Sequence, residues 1–166
     1  MRPEMQRGFS LVAAIFLLVV LALLGALIAS VTGMHQSSGQ LDLLGVRAYH
    51  SARTGLEWGV YQVLDPNNSV AACGIANCPA SPQNLPALGG SLSGFTVTVT
   101  CTVPAGGNTS ESNRNVRVFQ IVSTACNQGA SCPAASPTSG YVERRVQATV
   151  SKCKDPTATP PQCSCG

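Results

Sequence analysis

The chain has 166 residues; ten Lys+Arg against seven Asp+Glu give a formal charge of +3, charged residues are 10% of the total and aromatics 5%. No basic run exceeds two residues, so the clustered cations of a nucleic-acid surface are missing and no nucleic-acid partner is expected. Two His and seven scattered carboxylates leave little material for a hydrolytic or metal site, while eight Cys, all beyond residue 70, point to an oxidising compartment.

Leu11 to Ala29 reads LVAAIFLLVVLALLGALIA, nineteen residues without a charge. A helix of about 20 residues crosses a hydrocarbon core of ~30 Å. Arg2 and Arg7 precede it with only Glu4 opposing, so the positive-inside rule predicts residues 1–8 in the cytoplasm. The rest of the chain then lies beyond the inner membrane, as a single-pass protein with a periplasmic C-terminal domain, in agreement with the cysteines. A secretory signal peptide is one alternative, but its apolar region runs to about 7–15 residues before a small-residue cleavage site. This block is longer, and Leu27-Ile28-Ala29 and Val31-Thr32-Gly33 are only passable sites. A plain uncleaved anchor is the other alternative.

Helical periodicity continues past the block. Leu41, Leu44, Ala48, Ala52, Leu56, Val60 and Val63 form one apolar stripe at spacings of three and four. Asp42, Arg47, His50, Arg53, Glu57 and Gln62 lie around it, with Arg53 and Glu57 four apart and able to pair. Gly33 to Gly39, with Ser37 and Ser38 between, is the expected place for a bend or a fray. Asp65-Pro66-Asn67-Asn68 is the expected stop. The small residues Ala48, Ser51, Ala52 and Gly55 make a flat face on which a sheet can rest closely, and Trp58 reads as a core or interface anchor.

Residues 66–94 read as an irregular connection, followed by three strand signals. Phe95 to Val103 alternates with period two, placing Phe95, Val97, Val99, Cys101 and Val103 inward and the threonines toward solvent. Asn115 to Cys126 is partly apolar on both faces, with Val116, Val118 and Val122 against Phe119 and Ile121. Tyr141 to Cys153 turns Val142, Val146, Ala148 and Val150 inward, interrupted by Arg144. Linkers 104–113 and 127–140 are rich in Gly, Ser, Asn and Pro and suit hairpins with long loops. The expected fold class is therefore α+β: a long N-terminal helix, transmembrane in its first half, packed on a small antiparallel sheet of about three strands. A proline-rich tail, 154–166, reads as extended, ordered only if its cysteines are tied back.

Structural zinc favours C-x₂₋₄-C pairs, and often His. Cys73–Cys78 and Cys126–Cys132 are spaced too widely and no His is near, so no metal site is expected and disulfides are preferred. The candidates are Cys73, Cys78, Cys101, Cys126, Cys132, Cys153, Cys163 and Cys165. Proximity favours Cys73–Cys78 and Cys126–Cys132, with Cys101 able to compete; Cys163 and Cys165, one residue apart, are expected to bond elsewhere than to each other. No Gly-x-Ser-x-Gly, HExxH or paired-carboxylate spacing occurs, so neither catalytic residues nor a cofactor are expected. His35 and His50 read as solvated or interface residues of the helix. Arg144, Arg145, Lys152 and Lys154 read as a solvated strand edge that could attract an anionic partner.

The junction Gln6-Arg7-Gly8-Phe9-Ser10-Leu11 has a basic leader ending in Gly, then Phe, then the apolar run. It resembles the class III signal of type IV pilins and pseudopilins, which a prepilin peptidase cuts after the Gly before methylating the new N-terminal Phe. The small-residue run ending Gly55-Leu56-Glu57-Trp58 is similar to the equivalent helix of PilX-, pseudopilin-K- and, above all, MshP-type minor pilins, the last named for biogenesis of the MSHA pilus. The resemblance covers roughly residues 1–64. It implies a leader at 1–8, a transmembrane and filament-core helix at 9–34, an amphipathic continuation at 35–65, a disulfide-bearing head at 66–153 and the tail at 154–166. It also implies processing at Gly8 and Phe9, membrane lipid around the helix before assembly, and as partners the prepilin peptidase, the inner-membrane assembly platform and other minor and major pilins. One position departs. Pilins usually carry Glu at the fifth mature residue, here Ala13, and pseudopilin K proteins share the departure and sit at the tip. The implied function is a minor pilin at or near the tip of a type IV pilus. The alternatives are a pseudopilin of a type II secretion system and a single-pass anchored periplasmic binding module.

Overall fold

A computed structural model describes residues 7–65, 73, 77–159, 163 and 165. The first six residues of the expected leader, most of the helix-stop sequence at 66–68, the 74–76 stretch between two cysteines and parts of the tail lie outside the described residues. The chain divides into two compact units, Met1–Asp42 and Leu43–Gly166.

Helix α1 covers Arg7–Leu64, 58 residues. Its backbone stays helical through residues 33–39, where the glycines and serines predict a bend or a fray. It ends just before Asp65-Pro66: proline disfavours the helical region for the residue ahead of it, and the Asp65 N–H makes the last turn to the Tyr61 carbonyl at 2.8 Å.

The C-terminal unit is α+β, with the helix packed on one five-stranded antiparallel sheet. The strands are β1 (Gln83–Asn84), β2 (Thr96–Thr102), β3 (Asn108–Glu111), β4 (Arg114–Cys126) and β5 (Glu143–Lys154), with a 3-10 turn at Gly90–Leu92. Strand β4 is the spine. On one side its first part pairs with β3 and its second with β2, which pairs in turn with β1; on the other side it pairs with β5 throughout.

Two strands exceed the expected three. β3 falls in a linker read as loop, because a hairpin turn of Ser112-Asn113 lacks the glycine that usually announces one; both residues take positive φ, 50° and 64°, as a tight two-residue hairpin requires. β1 is too short to leave a periodic signal.

Parity along the strands sets the two faces. Val97, Val99, Cys101, Phe119, Ile121 and Ala125 meet the helix and are buried, joined by Ala52 and Val63, while Leu56, Trp58 and Val60 pack at the margin. Ala48, Phe95 and Val142 extend the core at the other end, beside Leu44. Val103 lies past the end of β2 and is half-buried, and Tyr141 and Val142 precede β5. Thr98, expected in solvent, is buried because the loop after β4 lies over it: the Cys132 N–H donates to its hydroxyl at 2.8 Å, and that hydroxyl donates to Asn84 Oδ1 at 2.7 Å.

Candidate functional site

In the N-terminal unit Leu11–Gly33 is 23 residues long, apolar enough to cross a membrane, with none of its length buried. This N-terminal helix is a candidate single-pass anchor. Gly8 and Phe9 lie on its helical backbone, and the Ala13 side chain is exposed. The His35 side chain lies outside the described residues.

In the C-terminal unit the helix presents two chemically distinct faces. Ala48, Ser51, Ala52, Gly55, Gly59 and Val63 are buried against the sheet. A Cβ at Gly55 would stand 2.4 Å from Ser123 Oγ and 2.5 Å from Val97 Cγ1, and one at Gly59 would stand 2.8 Å from Ile121 Cγ2. The sequence marks the small face as a resting place for a sheet, and the contact needs the missing side chains. The other face leaves Leu43, Val46, Tyr49, Tyr61 and Leu64 exposed, with His50, Arg53 and Glu57 in the middle. At 100° per residue, Leu43, Val46, Tyr61 and Leu64 fall opposite the small-residue stripe.

Beside this face runs an open cleft of about 390 Å³, lined by Arg47, His50, Arg53, Thr54, Glu57, Ser91 and Leu92. Arg53 Nε donates to Glu57 Oε1 at 2.9 Å, the pair that their spacing predicts. Thr54 Oγ1 is taken up by the His50 carbonyl. What remains toward a ligand is the half-buried Arg47, His50 and the Ser91 hydroxyl. The helix residues are legible in the sequence by their spacing, but their partners on the 3-10 turn carry no local signal. Among the described residues no three His, Cys, Asp or Glu side chains come together as metal ligands would.

The basic residues of β5 do not act as one patch. Lys152 Nζ donates to the Val63 carbonyl at 3.0 Å and to the Asp65 carbonyl, so it caps the end of α1, where cations complement the helix dipole. Burial, reinforced by the charge of Lys154, lowers its pKa, and Asp65 opposes the shift. Lys154 is buried, whereas Arg144 and Arg145 are exposed. The expectation of a solvated edge therefore fails for both lysines. Near the start of the strand the Tyr141 hydroxyl donates to Glu143 and accepts the Ala134 N–H at 3.1 Å; burial raises its pKa.

Four disulfides join Cys73–Cys163, Cys78–Cys101, Cys126–Cys132 and Cys153–Cys165. The Cys73–Cys78 pairing favoured by proximity is not formed. Cys78 instead meets Cys101 of β2, and Cys73 meets Cys163 of the tail. The tail is also less extended than expected: Asp155 accepts the Thr157 N–H and hydroxyl, and its own N–H reaches the Cys163 carbonyl at 2.9 Å. Disulfides with an apolar anchor point to an oxidising periplasmic or extracellular setting for this unit. No protein-family model, curated protein or solved structure matches this chain.

Proposed function

We propose that this chain is a minor pilin, MshP-like in type, that is held in the inner membrane by α1 and then takes part in assembling a type IV pilus, at or near its tip. The observation that carries the reading is the bare face of α1. Leu11–Gly33 is wholly unburied, and past it Leu43, Val46, Tyr49, Tyr61 and Leu64 remain exposed on a helix whose opposite face is sealed by its own sheet. A bilayer accounts for the first stretch only, since Asp42 and Arg47 then interrupt the apolar run. A bundle of helices from other subunits accounts for both. The leader junction at Gly8-Phe9 and the run to Gly55-Leu56-Glu57-Trp58 support the same reading.

The test is the mature N-terminus. Intact mass and N-terminal sequencing of the native protein are expected to give a methylated chain beginning at Phe9. A chain beginning at Met1, or near Ser30–Met34, overturns the proposal. The cleft along Arg47, His50 and Ser91 favours a second reading, an anchored binding module outside any filament, for which an intact Met1 is the expected result.

A further inference from the structure

We propose that the outer edge of β5 is a docking site for an extended, acidic segment of another protein, added to the sheet as a sixth strand. This inference rests on the sheet alone and stands apart from the filament reading. The other edges are short or engaged. β1 has two residues, β3 has four and closes in a tight hairpin, and beyond β1 the Cys101 N–H of β2 is taken by Ser81 Oγ at 2.9 Å. Strand β5 has twelve residues and pairs with β4 along its whole length, each residue matched one to one from Asn115↔Lys154 to Cys126↔Glu143. Among the described residues no strand pairs with its other side.

Natural edges are usually protected by a bulge, a proline or a charge in mid-strand. β5 has no bulge and no proline, and its centre, Val146-Gln147-Ala148-Thr149-Val150-Ser151, has no charge. On the helix side of that centre Val146, Ala148 and Val150 stay half-buried, although Val146 and Val150 touch the core. A strand laid alongside would satisfy the outward backbone groups and cover these three with apolar side chains of its own, as in recognition by strand addition.

Charge selects the occupant. Arg144 and Arg145 stand exposed at the start of the strand, whereas Lys152 is engaged at the end of α1 and Lys154 is buried, so the two arginines set the charge that an incoming strand meets. A second copy would bring the same charge. In the antiparallel register that sets Val146 opposite Val150, it also places Arg144 opposite Lys152, and like charges directly opposite are unfavourable. An acidic strand meets the two exposed guanidiniums of Arg144 and Arg145 instead.

The test uses the full chain in phosphatidylcholine nanodiscs and two labelled peptides, Glu-Glu-Thr-Val-Thr-Val-Thr-Glu-Glu and its counterpart with Lys in place of Glu. Fluorescence anisotropy is expected to show the acidic peptide binding at least about tenfold tighter than the basic one. Hydrogen exchange is expected to slow at residues 146–151 only when that peptide is present. Arg144→Glu with Arg145→Glu should reverse the preference. Arg145→Glu alone, an exposed change on the face away from the helix, should narrow it while leaving the four disulfides intact. Absence of protection with either peptide overturns the proposal. So does a preference that survives charge reversal, or protection of 146–151 by self-association without peptide, which would identify a second copy as the occupant.

Discussion

Gly55 and Ser123 face each other across the helix–sheet contact, and the hydroxyl of Ser123 is buried with no hydrogen-bond partner among the described residues. A buried hydroxyl without a partner costs about 1–3 kcal/mol. Ser123→Ala is therefore expected to leave the fold as stable as before or more so, in contrast with most core truncations. Gly55→Ala is expected to destabilise by about 1–3 kcal/mol, because its methyl meets both Ser123 and Val97. Combined with Ser123→Ala the loss should shrink without vanishing, since Val97 remains in the way. Urea denaturation of the four chains in one detergent decides it; additive losses would mean that the two side chains do not compete for the same space. A second residue-scale expectation concerns Asp155, whose pKa is lowered by the Thr157 hydroxyl and N–H. Its folded value lies below the ordinary 3.8, so its contribution is present above that pH and is lost as pH falls through the folded value. The Thr157 amide resonance should accordingly titrate with a midpoint below 3.8 and stay flat in Asp155→Asn.

The elements carry most of what the sequence makes legible. α1 announces itself by its apolar run and its stripe, and β2, β4 and β5 are anticipated to within two residues at each end, because alternation of apolar and polar residues is a local property. What stays hidden is non-local. Thr98 is polar and alternates outward, and only the return of the Cys126–Cys132 loop over it makes it a core position. The disulfides fail for the same reason: proximity along the chain recovers Cys126–Cys132, separated by six residues, but Cys73 and Cys163 are 90 apart and meet only in the fold, where the Cys163 carbonyl accepts the Asp155 N–H just after β5. In the candidate site the Arg53–Glu57 pair is readable from spacing, whereas the exposed Leu43, Val46, Tyr61 and Leu64 stand out only once the sheet has covered the opposite face, and Ser91 and Leu92 reach the cleft only through the fold. The long separation has an energetic consequence. Loop-closure entropy gives about 4–5 kcal/mol for the Cys73–Cys163 link and about 2 kcal/mol for Cys126–Cys132. Replacing each pair by serines should rank the two variants in that order in denaturant midpoint, with the reverse order pointing to residual structure in the unfolded chain. Alkylation of the denatured, unreduced wild-type protein should add no label, since all eight cysteines are bonded.

For the whole molecule the decisive position under the proposed function is Ala13. The apolar span offers no carboxylate between Leu11 and Gly33, and an unpaired charge surrounded by apolar helices costs several kcal/mol. A mature pilin presents a terminal amine at its first residue, here Phe9, and the resemblance implies that the fifth-residue Glu of one subunit neutralises the amine of the subunit above it. Processed as proposed, this chain would offer its Phe9 amine to a subunit arriving below, but with Ala13 it would bring no carboxylate to a neighbour above. A subunit that is followed and need not follow belongs at the tip, where nothing stands above it. Immunogold labelling of sheared filaments is expected to mark one end. Ala13→Glu supplies the missing carboxylate and should let the chain enter the shaft, so that label spreads along the filament while the number of filaments falls, because fewer copies remain to begin one. Label spread evenly along wild-type filaments would reject the tip assignment, and so would a substituted chain that still marks a single end, since the carboxylate would then not be what holds the wild type there.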